Sequence, residues 1–566
     1  MGTSLRALRA LALLAGFHLL APALLGVLLG ACAAAWVWAP AAVAAPVTGL
    51  SVLLGIPVVR GALALGGPGH ADIAGLPLTA ARQPELWCTV RSLAERCGTR
   101  APDAILLTGD ANAGVGEDTR FLGLRPGTRR LYIGAPLLTG LTEPQLHAVL
   151  AHELAHYGNT DTRLAGITHR GRDSLLRTVE TFREREHKRI DKARTRREGH
   201  EGREGPDGRE KTIAKGRGDD SRTGEETEPE TGRAGFTYRL MARPFLAYAG
   251  FYLRASHGAA RAQELAADRA AARIAGRDAT ASALRETAVL DAAHDFYMSR
   301  YATLGVRAGL LPPRGEVFGG LRHLLTAPGR QDELAALRGE PPAPEPSPYD
   351  THPPLTDRIR LIEALPDERR AAEAGARPAL ALLREPEHVL AELENAVLTP
   401  EAMALERLDW PELTHRAMYA LTAEGARPLR DALAAAEVTQ APAGERDAAA
   451  DLTAFLDSVD DGRLWRIAGH LPKSPEAARA TGRAAREFLR PALYAGLRDL
   501  TELALAETAR ARWELSWSEP ARLLLPSGDT TEEAVARAVR PAVDDVPDTA
   551  SLRDLLRTSS PAAPHC

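Results

Sequence analysis

Two histidines four residues apart flank a glutamate in the segment His152-Glu153-Leu154-Ala155-His156. On an α-helix, positions i and i+4 share a face, so both imidazoles can turn toward one ion. Neutral imidazole is a zinc ligand, and catalytic zinc sites keep one position open for water. Glu153, next to the first histidine, can reach that water as a general base. Histidine is scarce here, 16 in 566 residues, so such a segment rarely arises by chance.

The elements that must position this segment are legible around it. Thr142-Glu143-Pro144-Gln145 reads as a capping box with proline in the first turn. Leu146, Val149, Leu150 and Leu154 recur at helical spacing, and Gly158 is placed to end the helix. Upstream, residues 84–97 read as a helix and Ala104-Ile105-Leu106-Leu107-Thr108 as a strand. Phe121-Leu122-Gly123-Leu124 and Arg130-Leu131-Tyr132-Ile133-Gly134 read as two more strands around Pro126-Gly127. A small antiparallel sheet before a metal helix could hold an extended peptide along its edge, or simply cover the helix.

These residues also carry a resemblance. The strand ending Thr108-Gly109-Asp110-Ala111-Asn112-Ala113, the Leu-Gly-Leu segment, Tyr132-Ile133-Gly134 and then H-E-L-A-H-Y-G-N-T-D resemble the HtpX-like and CAAX prenyl protease family of membrane zinc peptidases, the gluzincins. The family pattern H-E-x-x-H-x-x-N-x-D falls on His152, Glu153, His156, Asn159 and Asp161. The resemblance covers roughly residues 70 to 365. It implies an α+β zincin-like protease domain with one Zn²⁺ per chain, acting on protein or peptide substrates in protein quality control.

Two histidines leave a catalytic zinc one protein ligand short, and the third is commonly His or a carboxylate. Gln263-Glu264-Leu265-Ala266-Ala267-Asp268-Arg269 resembles the family's E-x-x-A-D segment, which implies Glu264 as the third ligand. Asp268 lies four residues on, on the same helix face. It could accept the free ring N–H of a ligating histidine and fix its tautomer. The apolar residues Leu265, Ala272 and Ile274 line one side of this helix, and Gly276 ends it. A further segment, Thr351-His352-Pro353-Pro354-Leu355-Thr356-Asp357-Arg358-Ile359, resembles the family's T-H-P-P-x-x-x-R-I. His352 and His257 are candidates for contact with substrate or transition state. So, with less weight, are His294 and Tyr297, whereas Arg358 reads as a structural tie to the core.

The remaining chain frames this centre. From Ala10 to Val59 there is no Asp, Glu, Lys or Arg. That is long enough for two spanning helices at about 20 residues each, drawn at Ala10 to Trp38 and Val47 to Leu65 with Pro40 and Pro46 at the turn. Arg6 and Arg9 predict a cytoplasmic N-terminus and a cytoplasmic protease domain. A cleaved signal peptide is the competing reading, but its apolar core normally runs about 7–15 residues. Residues 184–233 are dense in charge and glycine and predict an unstructured insertion. Residues 236–252 are apolar and aromatic but too short for a span, which departs from relatives with more membrane helices.

The predicted organisation is a membrane hairpin over 1–66, a zinc peptidase domain over 67–365 and a helical accessory domain of unassigned role over 366–566. In the last, Trp410, Trp465, Trp513 and Trp517 read as core anchors. The fold class is mainly α with a small antiparallel sheet. Charged residues at 25% and apolar residues at 45% are ordinary for a globular chain. A net charge of −4 gives no footprint for nucleic acid. Of four cysteines only Cys88 and Cys97 are placed to pair, which is no disulfide framework. The rival function classes are a zinc-retaining, non-proteolytic binding module and an extracytoplasmic envelope peptidase. An intact Glu153 argues against the first, because a purely structural zinc has no use for a base there.

Overall fold

The computed structural model describes residues 3–65, 74–120, 125–157, 261–341, 353–366, 376–439, 447–525 and 532–558, with isolated positions between 243 and 254. Asn159, Asp161, His257, His352 and the charged insertion 184–233 lie outside the described residues. So does the strand candidate 121–124.

The first two helices, α1 (Thr3–Trp38) and α2 (Ala41–Leu65), form an antiparallel hairpin. Trp36 Nε1 donates to Thr48 Oγ1 at 3.0 Å beside the turn. Tyr248 seats against Gly16 of α1, where a Cβ would require the phenol to shift. Twelve of the eighteen large apolar side chains that are exposed among the described residues lie on this hairpin, from Leu19 to Val59. No helix, over its described residues, is long and apolar enough to cross a membrane. The two predicted spans therefore remain an expectation.

A four-stranded sheet follows, in the order β1 (Leu76–Leu78), β2 (Ala104–Thr108), β4 (Arg125–Gly134), β3 (Ala113–Arg120). The expectation of an antiparallel sheet is corrected here, because β2 and β4 pair in parallel, Leu107 opposite Ile133. The β1–β2 and β3–β4 pairs are antiparallel. The cause is the apolar content of the strands. β4 carries Leu131 and Ile133, both fully buried, and so takes the interior place beside β2. The polar strand β3, AGVGEDTR, folds back onto β4 and becomes the edge.

Helix α3 (Pro84–Arg96) packs on this layer through Leu86, Trp87, Val90 and Leu93. A short α4 (Ala135–Gly140) leads from β4 into α5 (Glu143–Ala155). Two further helices, α6 (residues 261–275) and α7 (Arg277–Tyr297), are separated by Gly276 at φ 111°, a conformation that favours glycine. Helix α8 (Leu355–Glu363) lies on both through Ile359 and Ile362, packed with Ala272 and Ala281.

One hydrophobic core joins the sheet, α3, α5 and α7 and continues to Leu413. Residues 378–413 belong to this core, with Ala379, Leu390 and Leu393 buried in it. A second, mainly helical core begins at Ala426 and gathers α9 (Trp410–Ala435), α10 (Ala448–Asp460) and α11 (Gly482–Glu507), with Trp513 and Leu523 of a two-stranded sheet. Helix α9 therefore runs from one core into the other. Trp410 and Trp513 are buried. Trp517 packs against the first core, stacking on Tyr301 with ring centroids 4.8 Å apart and meeting Trp410 edge-on at 5.0 Å. Cys88 and Cys97 are free thiols.

Candidate metal centre

Helix α5 begins where the capping pattern predicts. The Gln145 side chain accepts a hydrogen bond from the Thr142 backbone N–H at 2.9 Å, with Pro144 in the first turn. Its Nε2 donates to Ser282 on α7 at 2.6 Å, which fixes the rotation of α5 against its neighbour. Leu146, Leu150, Ala151 and Leu154 bury one face in the core. The opposite face carries His152, Glu153 and His156.

Helix α6 crosses that face. Its Ala267, Ala271 and Ile274 are buried, which turns Glu264 and Asp268 inward toward the histidines. Arg96 of α3 donates to the Ile274 carbonyl and holds the far end of α6. Three nitrogen and oxygen donors then converge. His152 Nε2 and His156 Nε2 are 3.2 Å apart. Glu264 Oε2 lies 3.5 Å from the first, and Glu264 Oε1 lies 3.7 Å from the second. Ligands at about 2.0–2.1 Å from a tetrahedral zinc sit roughly 3.3–3.4 Å from one another. The three side chains thus fit a single metal ion in spacing and in donor type. They are the group among the described residues whose atoms could hold one.

Behind the donors lies a buried charge relay. His152 Nδ1 is 3.0 Å from Asp268 Oδ1, although its N–H is not aimed squarely at the oxygen, so the contact is chiefly electrostatic. Arg358 grips the same carboxylate with two bonds, Nε to Oδ2 at 2.9 Å and Nη2 to Oδ1 at 2.7 Å. Its Nη1 stands 3.9 Å from Glu264 Oε2. Asp268 is 2% exposed and Arg358 8% exposed, so neither charge is tolerable alone. Burial alone would raise the Asp268 carboxyl, but Arg358 and His152 overcome it and hold the group below its ordinary range. Burial alone would lower the His152 imidazole, but Asp268 and Glu264 outweigh it and push it up to about 9. This is the charge pattern of a cluster built around a cation: three acids facing two imidazoles and one guanidinium.

His152 and Glu153 open onto a cleft of about 200 Å³. Ala111, Asn112 and Ala113, leading into β3, form one wall, and Thr280, Leu284 and Thr287 of α7 form another. Leu137 and Val149 make its lining partly apolar.

The structure thus brings together His152, Glu153, His156, Glu264 and Asp268 from the sequence reading. It adds two elements that reading did not supply. Arg358, read as a structural tie to the core, makes that tie through the buried Asp268; a buried acid at position 268 requires a cation, and that was the available signal for the partner. The α7 wall had no signal in residue type. His294 is buried in α7, and that burial lowers its imidazole. Tyr297 is fully buried and donates to the Glu316 carbonyl, so it is a core residue.

Comparison with known proteins agrees with this geometry. A stretch of 82 residues is 35% identical to a protein named "Protease HtpX homolog" from Janthinobacterium sp. (strain Marseille). That stretch is 14% of this chain and 25% of the relative. No solved structure matches. The model of peptidase family M48 matches residues 80–365, a span that contains β2, β3, β4, α5, α6 and Arg358. With three of its four strands, its paired helices and its donor cluster inside that span, the chain belongs to peptidase family M48.

Proposed function

We propose that this protein is a membrane-anchored, zinc-dependent endopeptidase. The observation that carries the reading is the convergence of His152, His156 and Glu264 within 4.8 Å of one another, with Glu153 on the same cleft. One zinc per chain would be held by those three residues. Bound there, zinc would supply Lewis acidity to a scissile carbonyl and lower the pKa of a water molecule.

The protein's own residues perform the rest. Glu153 takes a proton from the attacking water and returns it to the leaving amine, so that no free hydroxide or amide anion forms. Asp268 holds the His152 ring in orientation and keeps electron density on the nitrogen that faces the metal. Arg358 keeps Asp268 ionised, which prevents a neutral acid from releasing the histidine. The edge of β3 holds the substrate backbone in extended form beside the cleft. Asn159 and Asp161, which follow His156 in the family pattern, support this end of the site. His352 and His257 are the candidates for contact with substrate.

The apolar exposed face of the α1–α2 hairpin supports anchoring in a bilayer, because large apolar side chains concentrated there need a covering apolar medium. Trp36 and Trp38 at its turn suit a membrane interface. Family resemblance directs the activity toward membrane or misfolded proteins, with the peptidase domain on the cytoplasmic side.

The test is Glu153→Gln beside wild type, matched for zinc content, with an unfolded protein as substrate. Wild type cleaves it and the variant loses at least about a hundredfold in rate, the scale of a general base. Equal cleavage by the two would remove Glu153 from the chemistry.

A further inference from the structure

The register of the edge strand determines which of its backbone groups can meet a docked peptide. Gly134 N–H donates to the Asn112 carbonyl at 2.8 Å, so Asn112 and Gly134 are a hydrogen-bonded pair. In an antiparallel ladder such pairs alternate with non-bonded ones. With Ala113 opposite Ile133, Gly114 opposite Tyr132 and Val115 opposite Leu131, it is Ala113 and Val115 that turn their N–H and C=O away from β4. These are the groups on the free side of β3, in continuity with the cleft wall at residues 111–113.

Two of them are engaged. The Ala113 N–H donates to the Asn112 side-chain Oδ1 at 2.8 Å. The Tyr157 hydroxyl donates to the Val115 carbonyl at 2.6 Å. Tyr157 directly follows His156, so the end of the metal-binding helix reaches across to the strand. A further strand would lie about 4.7–4.9 Å from β3, and the phenol occupies that lane. The ring is held in place. Arg129 of β4 lies over it, 4.8 Å from its centroid, and Thr99 Oγ1 donates to its backbone carbonyl at 3.2 Å. Arg129 is itself pinned by bonds to Thr99 Oγ1 at 2.9 Å and to the Arg100 carbonyl at 2.7 Å.

We propose that Tyr157 is a positioning residue that ends the substrate-docking edge at Val115, and so sets how many residues of an extended substrate pair with the protein. The Ala113 carbonyl remains on the docking side of the stop, and substrate beyond it must turn away from the sheet. This proposal rests on the peptidase reading above.

The test takes the full-length protein and a peptide series built around one bond mapped in an unfolded substrate, each end lengthened one residue at a time. In wild type, kcat/KM rises with length and then reaches a plateau at both ends. Tyr157→Ala clears the lane, and the plateau at one end moves outward by about two residues, the strand period. The gain is about three- to tenfold, on the scale of one added backbone hydrogen bond, and it appears in KM. Tyr157→Phe frees only the carbonyl and moves the plateau in the same direction by less. Binding of uncleaved peptides to the corresponding Glu153→Gln double variants gives the same length profile without turnover. An unchanged plateau in both variants overturns the proposal. So does a uniform fall at every length, which would make Tyr157 a mere structural anchor. If wild type cleaves no peptide, the peptidase reading fails and this inference fails with it.

Discussion

Two buried arginine–aspartate pairs invite comparison, one in each core. Arg358 and Asp268 lie between α8 and α6, with side chains 9% and 2% exposed. Arg430 and Asp451 lie between α9 and α10, 9% and 0% exposed, with Nε 2.7 Å from Oδ2. By burial and distance the pairs are nearly equivalent. Their difference is the donor cluster beside the first pair. Asp268 also faces His152, whose other nitrogen joins His156 and Glu264. The group that could hold a metal ion among the described residues is the one beside Asp268, and the Arg430–Asp451 pair joins two helices. A buried ion pair is therefore no mark of a site by itself; the imidazole placed between the carboxylate and the donor cluster makes it one.

The largest effects should come from breaking each pair in turn. Asp268→Ala and Asp451→Ala each remove the bonded carboxylate from a buried guanidinium, at a cost of about 3–5 kcal/mol in urea unfolding. Only Asp268→Ala should also weaken zinc, by roughly 10–100-fold in a competing-chelator titration. Equal zinc affinity in the two variants would erase the distinction drawn between the pairs.

A smaller effect separates the cores by pH. Burial pushes the Glu502 carboxyl on α11 up to about 7, against 4.5 ordinarily, partly offset by Arg498 and reinforced by Asp499. The folded state therefore holds a proton that the unfolded state has released. The stabilisation is complete below pH 4.5 and is lost as pH rises through about 7. The loss is on the order of 3 kcal/mol for the second core. Glu502→Gln should flatten that pH dependence of unfolding while leaving zinc binding unaltered. A slope that survives the substitution would assign it to another group.

What could be read in advance follows from how local each signal is. Helix α5 was legible because its cap, its apolar spacing and its histidines all lie within a few turns. Gly276 was legible as a stop because a left-handed break has few other tenants. Strand β3 was not, since Ala113-Gly114-Val115-Gly116-Glu117-Asp118 shows neither β-branched enrichment nor alternation; its place comes from pairing with β4. The parallel β2–β4 pairing was hidden for the same reason. Arg358 and Asp268 are 90 residues apart, so their bond is a property of the packing of α8 on α6. The composition shift near Pro366 does not mark a change of core, because Ala- and Leu-rich helices look alike on either side. Residues 378–413 close the first core before α9 carries the chain into the second.

The central claim is that Glu264, on a helix far along the chain from His152 and His156, completes a metal site with them. Elemental analysis of purified, folded Glu264→Ala beside wild type tests it most directly. The account predicts about one zinc per chain in wild type, as for a three-ligand catalytic site, and close to none in the variant. Full zinc occupancy in Glu264→Ala would contradict it.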